Sequence, residues 1–270
     1  GSEMCIRDRI YLYSNNMDEQ YSYIDAAKNR GYNILLMDGQ LDVAMISMLE
    51  QKFEKSRFTR VDSDVIDRLI AKEEHKEANL ESNQREILSS VFRSQLPQIK
   101  KVEFNVETQA LGENGAPIMI TQSEYMRRMK EMANIQAGMS FYGEMPNMYN
   151  LVLNADHKLV KQVLTDADNS CKAALEPIES EMANLNNRRK ELQKAQEGKK
   201  TEDIPQAEKD ELNDIEKKIS DETTKKQAVL GEYANGNKII HQLIDLALLQ
   251  NNMLKGEALT NFVKRSIELI

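Results

Sequence analysis

The chain has 270 residues, 40% of them apolar, with a net charge of −8, an isoelectric point near 5.2 and no tryptophan. This length allows two domains, or a domain and a half, with real cores. The acidic balance argues against a nucleic-acid binder, which would carry a basic face. A mean hydropathy of −0.61, with no apolar run near the ~20 residues of a membrane span, argues against the bilayer.

Residues 1–9 carry no clear pattern, and Gly1-Ser2 reads as a tag or other non-native start, so this stretch is set aside. No signal peptide is legible, and Cys5 and Cys171 stand in contexts that do not suggest a pair. A reducing, cytoplasmic location is expected.

From Ile10 strands and helices alternate. Residues 10–14 predict a strand and 17–30 a helix ending at Gly31. A strand follows over 33–38, then a helix over 40–53 defined by Leu41, Met45, Met48 and Leu49, then a strand over 57–61. Such alternation predicts a small, mostly parallel αβ unit. The turn after the first strand, SNNMDEQ, lacks the glycines of a phosphate loop, so nucleotide binding there is not expected.

A charged linker helix is predicted over about 63–96, ended by Pro97, with the domain boundary in it. Residues 100–108 and 117–120 read as an antiparallel pair of strands around Gly112–Gly115. Next come a methionine-rich helix (122–133), a loop (134–148) and a strand (149–154), after which Asp156 is expected to cap a helix starting at His157.

Seven of the 14 methionines lie within 119–148. Tyr125, Met129 and Met132 fall at i, i+4 and i+7, one stripe of a helix whose other face holds Arg127, Arg128, Lys130 and Glu131. Methionine is flexible and polarisable, so the stripe suits either an irregular core or a surface that fits unlike partners. Stripes of this kind more often belong to a core.

Residues 170–233 predict an antiparallel helical hairpin. Ile178, Met182, Leu185 and Leu192 lie on one arm, and Leu212, Ile215, Ile219 and Val229 on the other. Its readings are a partner arm or a solvated spacer. Two terminal helices follow, 237–254 and 258–270. The first is apolar over more than one face and is suited to dock on the sheet, to pair with a second chain in a four-helix bundle, or to do both. His75, His157 and His241 are far apart in sequence. No metal-ligand spacing and no nucleophile elbow is present, so no catalytic or metal residue is expected.

Three stretches resemble the bacterial branch of the heat-shock protein 90 chaperones. IYLYSNNMDEQYSYIDAAKNRGYNILLMDGQLD resembles the end of the family's middle domain. YNLVLNADHKLV resembles its strand-to-helix signature, with Ala155 in place of proline. ALLQNNMLKGEALTNFVKRSIELI resembles its C-terminal dimerisation helices. The likeness covers about residues 10–168 and 236–270, and the hairpin looks like a lineage-specific insertion.

The resemblance implies an α/β unit followed by an α+β domain. The expected parts are the end of a middle domain (10–75), a linker helix region (76–96) and a dimerisation domain (97–270) carrying the 170–233 insertion. The family hydrolyses ATP with magnesium in a separate N-terminal domain, helped by an arginine earlier in the middle domain. The resemblance places this chain after both, so neither cofactor nor ATPase activity is expected in it.

The expected partners are a second copy of the chain and unfolded client proteins, with no nucleic acid and no membrane. Tyr125, Met129 and Met132 match the apolar positions of the family's client-contacting helix. Met126, Met139 and Phe141 lie on or just after it and complete the expected client surface. Ile240, Leu243, Ile244, Ala247, Leu248, Phe262 and Ile267 are the expected dimer contacts. The chain ends IELI, so the acidic tail through which eukaryotic members recruit co-chaperones is not implied. The alternatives are a coiled-coil scaffold acting through the hairpin, or an enzyme built on the α/β unit.

Overall fold

Strand β1 (Arg9–Ser14) lies between β2 (Leu35–Leu36) and β3 (Ser56–Arg60) in a parallel sheet, connected through helices α1 (Tyr21–Asn29) and α2 (Asp42–Lys52). The computed structural model describes residues 9–39, 41–53, 55–69, 79–135, 145–197 and 204–268. Successive side chains of a strand point to opposite faces. Leu12 accordingly packs with Tyr23, Ile24 and Ala27, while Tyr13 packs with Met37, Ile46 and Phe58.

The α/β reading holds, with shorter elements. The expected strand over 33–38 pairs only at Leu35–Leu36, although Met37 N still donates to Ser14 O at 2.8 Å. Helix α1 starts at Tyr21 because side chains hold the preceding turn. Asn16 Oδ1 accepts from the amides of Asp18 and Glu19, and Gln20 Oε1 accepts from those of Asn15 and Asn16. The helix ends near Gly31, whose φ of +78° suits a residue without Cβ.

The single helix expected over 63–96 is corrected to two, α3 (Ile66–Leu69) and α4 (Ser82–Ser94), with 70–78 outside the described residues. A capping box formed by Glu81 and Gln84 starts α4. Far from being a solvated linker, α4 sinks Ile87, Leu88, Val91 and Phe92 into the largest core.

The second sheet has the order β4 (Val102–Gln109), β6 (Asn147–Asn154), β5 (Ile118–Thr121). The antiparallel pairing expected between β4 and β5 is therefore corrected: β6 separates them, parallel to β4 and antiparallel to β5. The reason lies in β6 itself. Leu151, Val152 and Leu153 are all fully buried, and a strand apolar on both faces belongs in the middle of a sheet.

Helix α5 (Glu124–Ile135) follows β5. Beyond β6, helix α6 (Lys158–Gln196) is capped by His157, whose Nδ1 accepts from Leu159 N. Asp156 was the expected cap; its carboxylate instead accepts from Gly112 N and ties down the β4–β5 connection.

Helices α6 and α7 (Gln206–Asn235) form the hairpin. The first arm begins at Lys158 rather than near 170, and its 39 residues run about 60 Å. Its inner part is core, from Val160 to Leu175, facing Leu230 and Ala234. The outer part is held by a small apolar cluster of Leu185, Leu192, Ile215 and Ile219, and by the Arg188–Glu211 ion pair at 2.7 Å. Lys226, buried between these regions, binds Asn83, Glu86 and Glu179 and fixes the arm to α4.

Helices α8 (Lys238–Gln250) and α9 (Gly256–Glu268) close the main core under the second sheet. Asn237 Oδ1 caps α8, accepting from Ile239 N and Ile240 N. Among the described residues no helix is long and apolar enough to cross a membrane.

Candidate functional site

Helix α5 docks on the α/β unit through its charged side. Glu124, in its first turn, reaches the end of the parallel sheet. Its Oε1 accepts from Tyr13 Oη at 2.9 Å, from Arg127 Nη2 at 2.6 Å and from Arg128 Nε at 2.6 Å. Its Oε2 accepts from Ser63 Oγ at 2.5 Å and from Arg60 N at 3.2 Å. Arg128 continues the network, donating to Glu50 on α2 and to the Phe58 carbonyl, and Glu50 accepts from Phe58 N at 2.7 Å. Arg127, only 4% exposed, also donates to Glu131 and to the Tyr13 hydroxyl and lies over the Tyr13 ring.

Two consequences follow from this geometry. First, Phe58 N, Phe58 O and Arg60 N on β3 all bond to side chains, so part of this sheet edge offers no ladder to another strand. Second, the charges are mutually dependent. Burial alone would raise the Glu124 carboxyl, but the Arg127 guanidinium and the Ser63 hydroxyl outweigh it and hold the group at about 2. Burial, reinforced by Glu124, pushes the Tyr13 phenol up to about 12. Burial also works against the charge on Arg127, and Glu124 more than restores it.

With Glu124, Arg127 and Arg128 turned inward, the opposite side of α5 faces outward. Tyr125 is 63% exposed, and Met126 and Met129 are half-buried. Met132 lies within the helix, but its side chain is outside the described set, as are residues Met139 and Phe141. Sequence reasoning placed Arg127 and Arg128 on the face opposite the methionine stripe without assigning that face a partner, and in the structure this polar side is the docked one.

A second apolar surface was missed. Leu41, Met45 and Met48, read from the sequence as the stripe defining α2, are exposed, Met48 at 69%, while Ile46 is the buried anchor. Phe53 and the β2 residues Leu35 and Leu36 are exposed on the same unit. The Arg128–Glu50 ion pair at 2.7 Å joins α5 directly to α2. The available signal was that α2 is apolar on two sides, more than one small sheet can cover.

The seven expected dimer contacts separate. Ile240, Leu243, Ile244, Ala247, Leu248 and Phe262 are already buried within the single chain. Ile267 is 69% exposed, and the other large apolar side chains left open on these helices are Leu246, Leu249 and Val263. Arg265 holds the two helices together through Asp245 and Gln242.

A polar cleft of about 300 Å³ lies where the two units meet, lined by Asn15, Asn16, Gln20, Arg60, Asp62 and Asn251 among others. The Asn15 and Asn16 amides are taken by Gln20, and Arg60 forms a two-point pair with Asp62 at 2.5 and 2.9 Å. Among the described residues no group of His, Cys, Asp or Glu is placed to hold a metal ion such as magnesium.

Comparison with known proteins places this geometry in context. A family profile described as "Hsp90 protein" matches residues 7–178 and ends where α6 leaves the core. The chain is 69% identical over 264 residues to chaperone protein HtpG of Bacteroides fragilis, and 69% identical over 261 residues to that of Bacteroides thetaiotaomicron. It is 45% identical over 263 residues to chaperone protein HtpG of Porphyromonas gingivalis. These alignments cover 97–98% of the chain, hairpin included, and 38–39% of the relatives' length.

Proposed function

The chain belongs to the Hsp90 family, and on that premise we propose that it is the portion of a bacterial chaperone that holds unfolded clients and pairs two subunits. The observation carrying the proposal is the inverted burial of α5. A helix whose buried side is Glu124 and Arg127 has no need of its apolar side for docking, and that side is left to meet something else. Methionines supply adaptable contacts suited to unlike sequences, and the exposed Met45 and Met48 of α2 extend the surface.

Self-association is assigned to α8 and α9, with the exposed Leu246, Leu249, Val263 and Ile267 as the contacts. The buried six of the expected set act indirectly, by fixing the two helices to the core. An isologous pairing of this hairpin gives a four-helix bundle. ATP binding and hydrolysis, with magnesium, belong to a part of the protein outside this chain, and ATP turnover by the chain alone would refute that assignment. A cytoplasmic location goes with the reading.

The experiment is Met129→Glu in the full chain, measured as suppression of aggregation of a heat-unfolded reporter enzyme. Suppression falls severalfold while light-scattering mass stays unchanged. Unchanged suppression would return the stripe to the core. The scaffold alternative finds no support in the hairpin surface. Among the described residues 158–235 has no exposed large apolar side chain. Deleting its outer part is expected to leave both association and client holding intact.

A further inference from the structure

At the margin of the open α5 face stand two lysines that have no carboxylate partner among the described residues. Lys130 stands one helical turn beyond Met126. Its Nζ donates to Asn147 Oδ1 at 2.7 Å. The Asn147 amide in turn donates to the Lys101 carbonyl at 2.8 Å, and Lys101 is held in the left-handed region at φ +60°. One asparagine thus gathers both lysines. Burial and the neighbouring Lys101 charge together lower the Lys130 pKa, as expected of a cation with a cation beside it.

Among the described residues neither lysine has an ion-pair partner, in contrast to the paired Arg127, Arg128 and Lys226. Lys100 and Met148 are exposed beside them. The acid nearest in register is Glu103, opposite Met148. A chain of net charge −8 therefore carries local positive charge where its apolar helix face opens.

We propose that this surface selects unfolded segments whose apolar anchors are flanked by aspartate or glutamate. The inference rests on the client-holding reading and adds the substrate class to it. The apolar side chains meet Tyr125, Met126 and Met129, and the flanking carboxylates meet Lys101 and Lys130. The whole-chain field points the other way, since net −8 favours a basic segment. At physiological salt charges are screened over about 8 Å, so the local lysines decide.

The test uses two labelled peptides with one shared Leu/Phe centre, flanked either by acidic residues or by lysines, titrated with the full chain by fluorescence anisotropy. The acidic-flanked peptide binds about three- to tenfold tighter, as expected of two exposed charge pairs. The preference shrinks at high salt and reverses in the Lys101→Glu/Lys130→Glu variant. Met129→Ser, which removes the apolar contact without adding charge, weakens both peptides alike. Equal affinities, or preference for the basic peptide, overturn the inference while leaving client holding standing if Met129→Ser still weakens both. No binding of either peptide, or no response to Met129→Ser, overturns the client-holding reading and the inference with it.

Discussion

Helices α5 and α8 both carry apolar stripes, yet they meet the rest of the protein in opposite ways. Helix α8 buries Ile240, Leu243, Ile244, Ala247 and Leu248 and leaves only Leu246 and Leu249 open. Helix α5 buries Glu124 and Arg127 and leaves Tyr125 out. Apolar patterning sets what a helix would gain by burial, but it does not set which side finds partners. The charged side of α5 faces Tyr13, Ser63, Arg60 N and Glu50, a set complementary enough to keep buried charges satisfied. A network of this kind contributes orientation more than net stability.

The largest expected effect tests that network. Glu124→Ala leaves Arg127 buried without its carboxylate and costs about 3–5 kcal/mol in urea unfolding. Glu124→Leu with Arg127→Met costs less, because no fully buried charge is left alone: Arg128 keeps Glu50, and Glu131, which loses Arg127, is partly open to water. The pH dependence has a definite sign. The folded carboxyl titrates at about 2, below its ordinary 4.5, so its contribution is present above pH 4.5 and is lost as pH falls toward 2. About 3 kcal/mol of wild-type stability disappears across that window, and the double variant lacks this loss. Parallel pH curves for the two proteins would show that Glu124 does not hold the junction.

Next in size is Leu248→Ala, at about 3 kcal/mol, the cost of a cavity in a filled core. Sedimentation and urea unfolding at several protein concentrations sharpen the contrast with the exposed rim of the same helices. The Leu248→Ala loss is independent of concentration. Ile267→Glu shifts the monomer–dimer midpoint and leaves the protomer's own unfolding unchanged. A concentration-dependent Leu248→Ala cost would move that residue from the protomer core into the subunit contact.

Much of the fold was legible because local patterns agreed with it. Alternating strands and helices up to residue 60, the Gly31 stop and the hairpin all follow from spacing and turn chemistry. The β4–β5 pairing was misread because neighbours in sequence are the natural guess, whereas the doubly buried Leu151–Leu153 run of β6 claims the middle of the sheet. The site was half legible. The stripe at Tyr125 and Met129 was visible in the spacing, but the spacing did not tell surface from core, and its exposure was expected only from the family resemblance and the apolar loop beside it. Exposure depends on Glu124 meeting Tyr13, a contact across 111 positions that leaves no trace in local periodicity. The same blindness turned α2 around, since nothing local separates Met48, exposed, from Ile46, buried. On α8 it merged core with partner contacts, because a helix apolar over several faces gives each face the same signal.

The smallest effect on stability is expected at Tyr125, and it is the most telling for the comparison. Tyr125→Ser removes a ring that is 63% exposed, and so changes unfolding free energy by no more than about 0.5 kcal/mol. A buried aromatic on α8's side of the molecule, such as Phe262, would cost several times more on truncation to alanine, about 3 kcal/mol. If α5 is a surface for clients, the inexpensive change is the one that impairs holding: Tyr125→Ser reduces aggregation suppression while Phe262→Ala, assayed below its unfolding transition, does not weaken peptide binding. A large stability loss at Tyr125 with no change in holding would mean that the ring is packed in solution. The two helices would then differ only in degree.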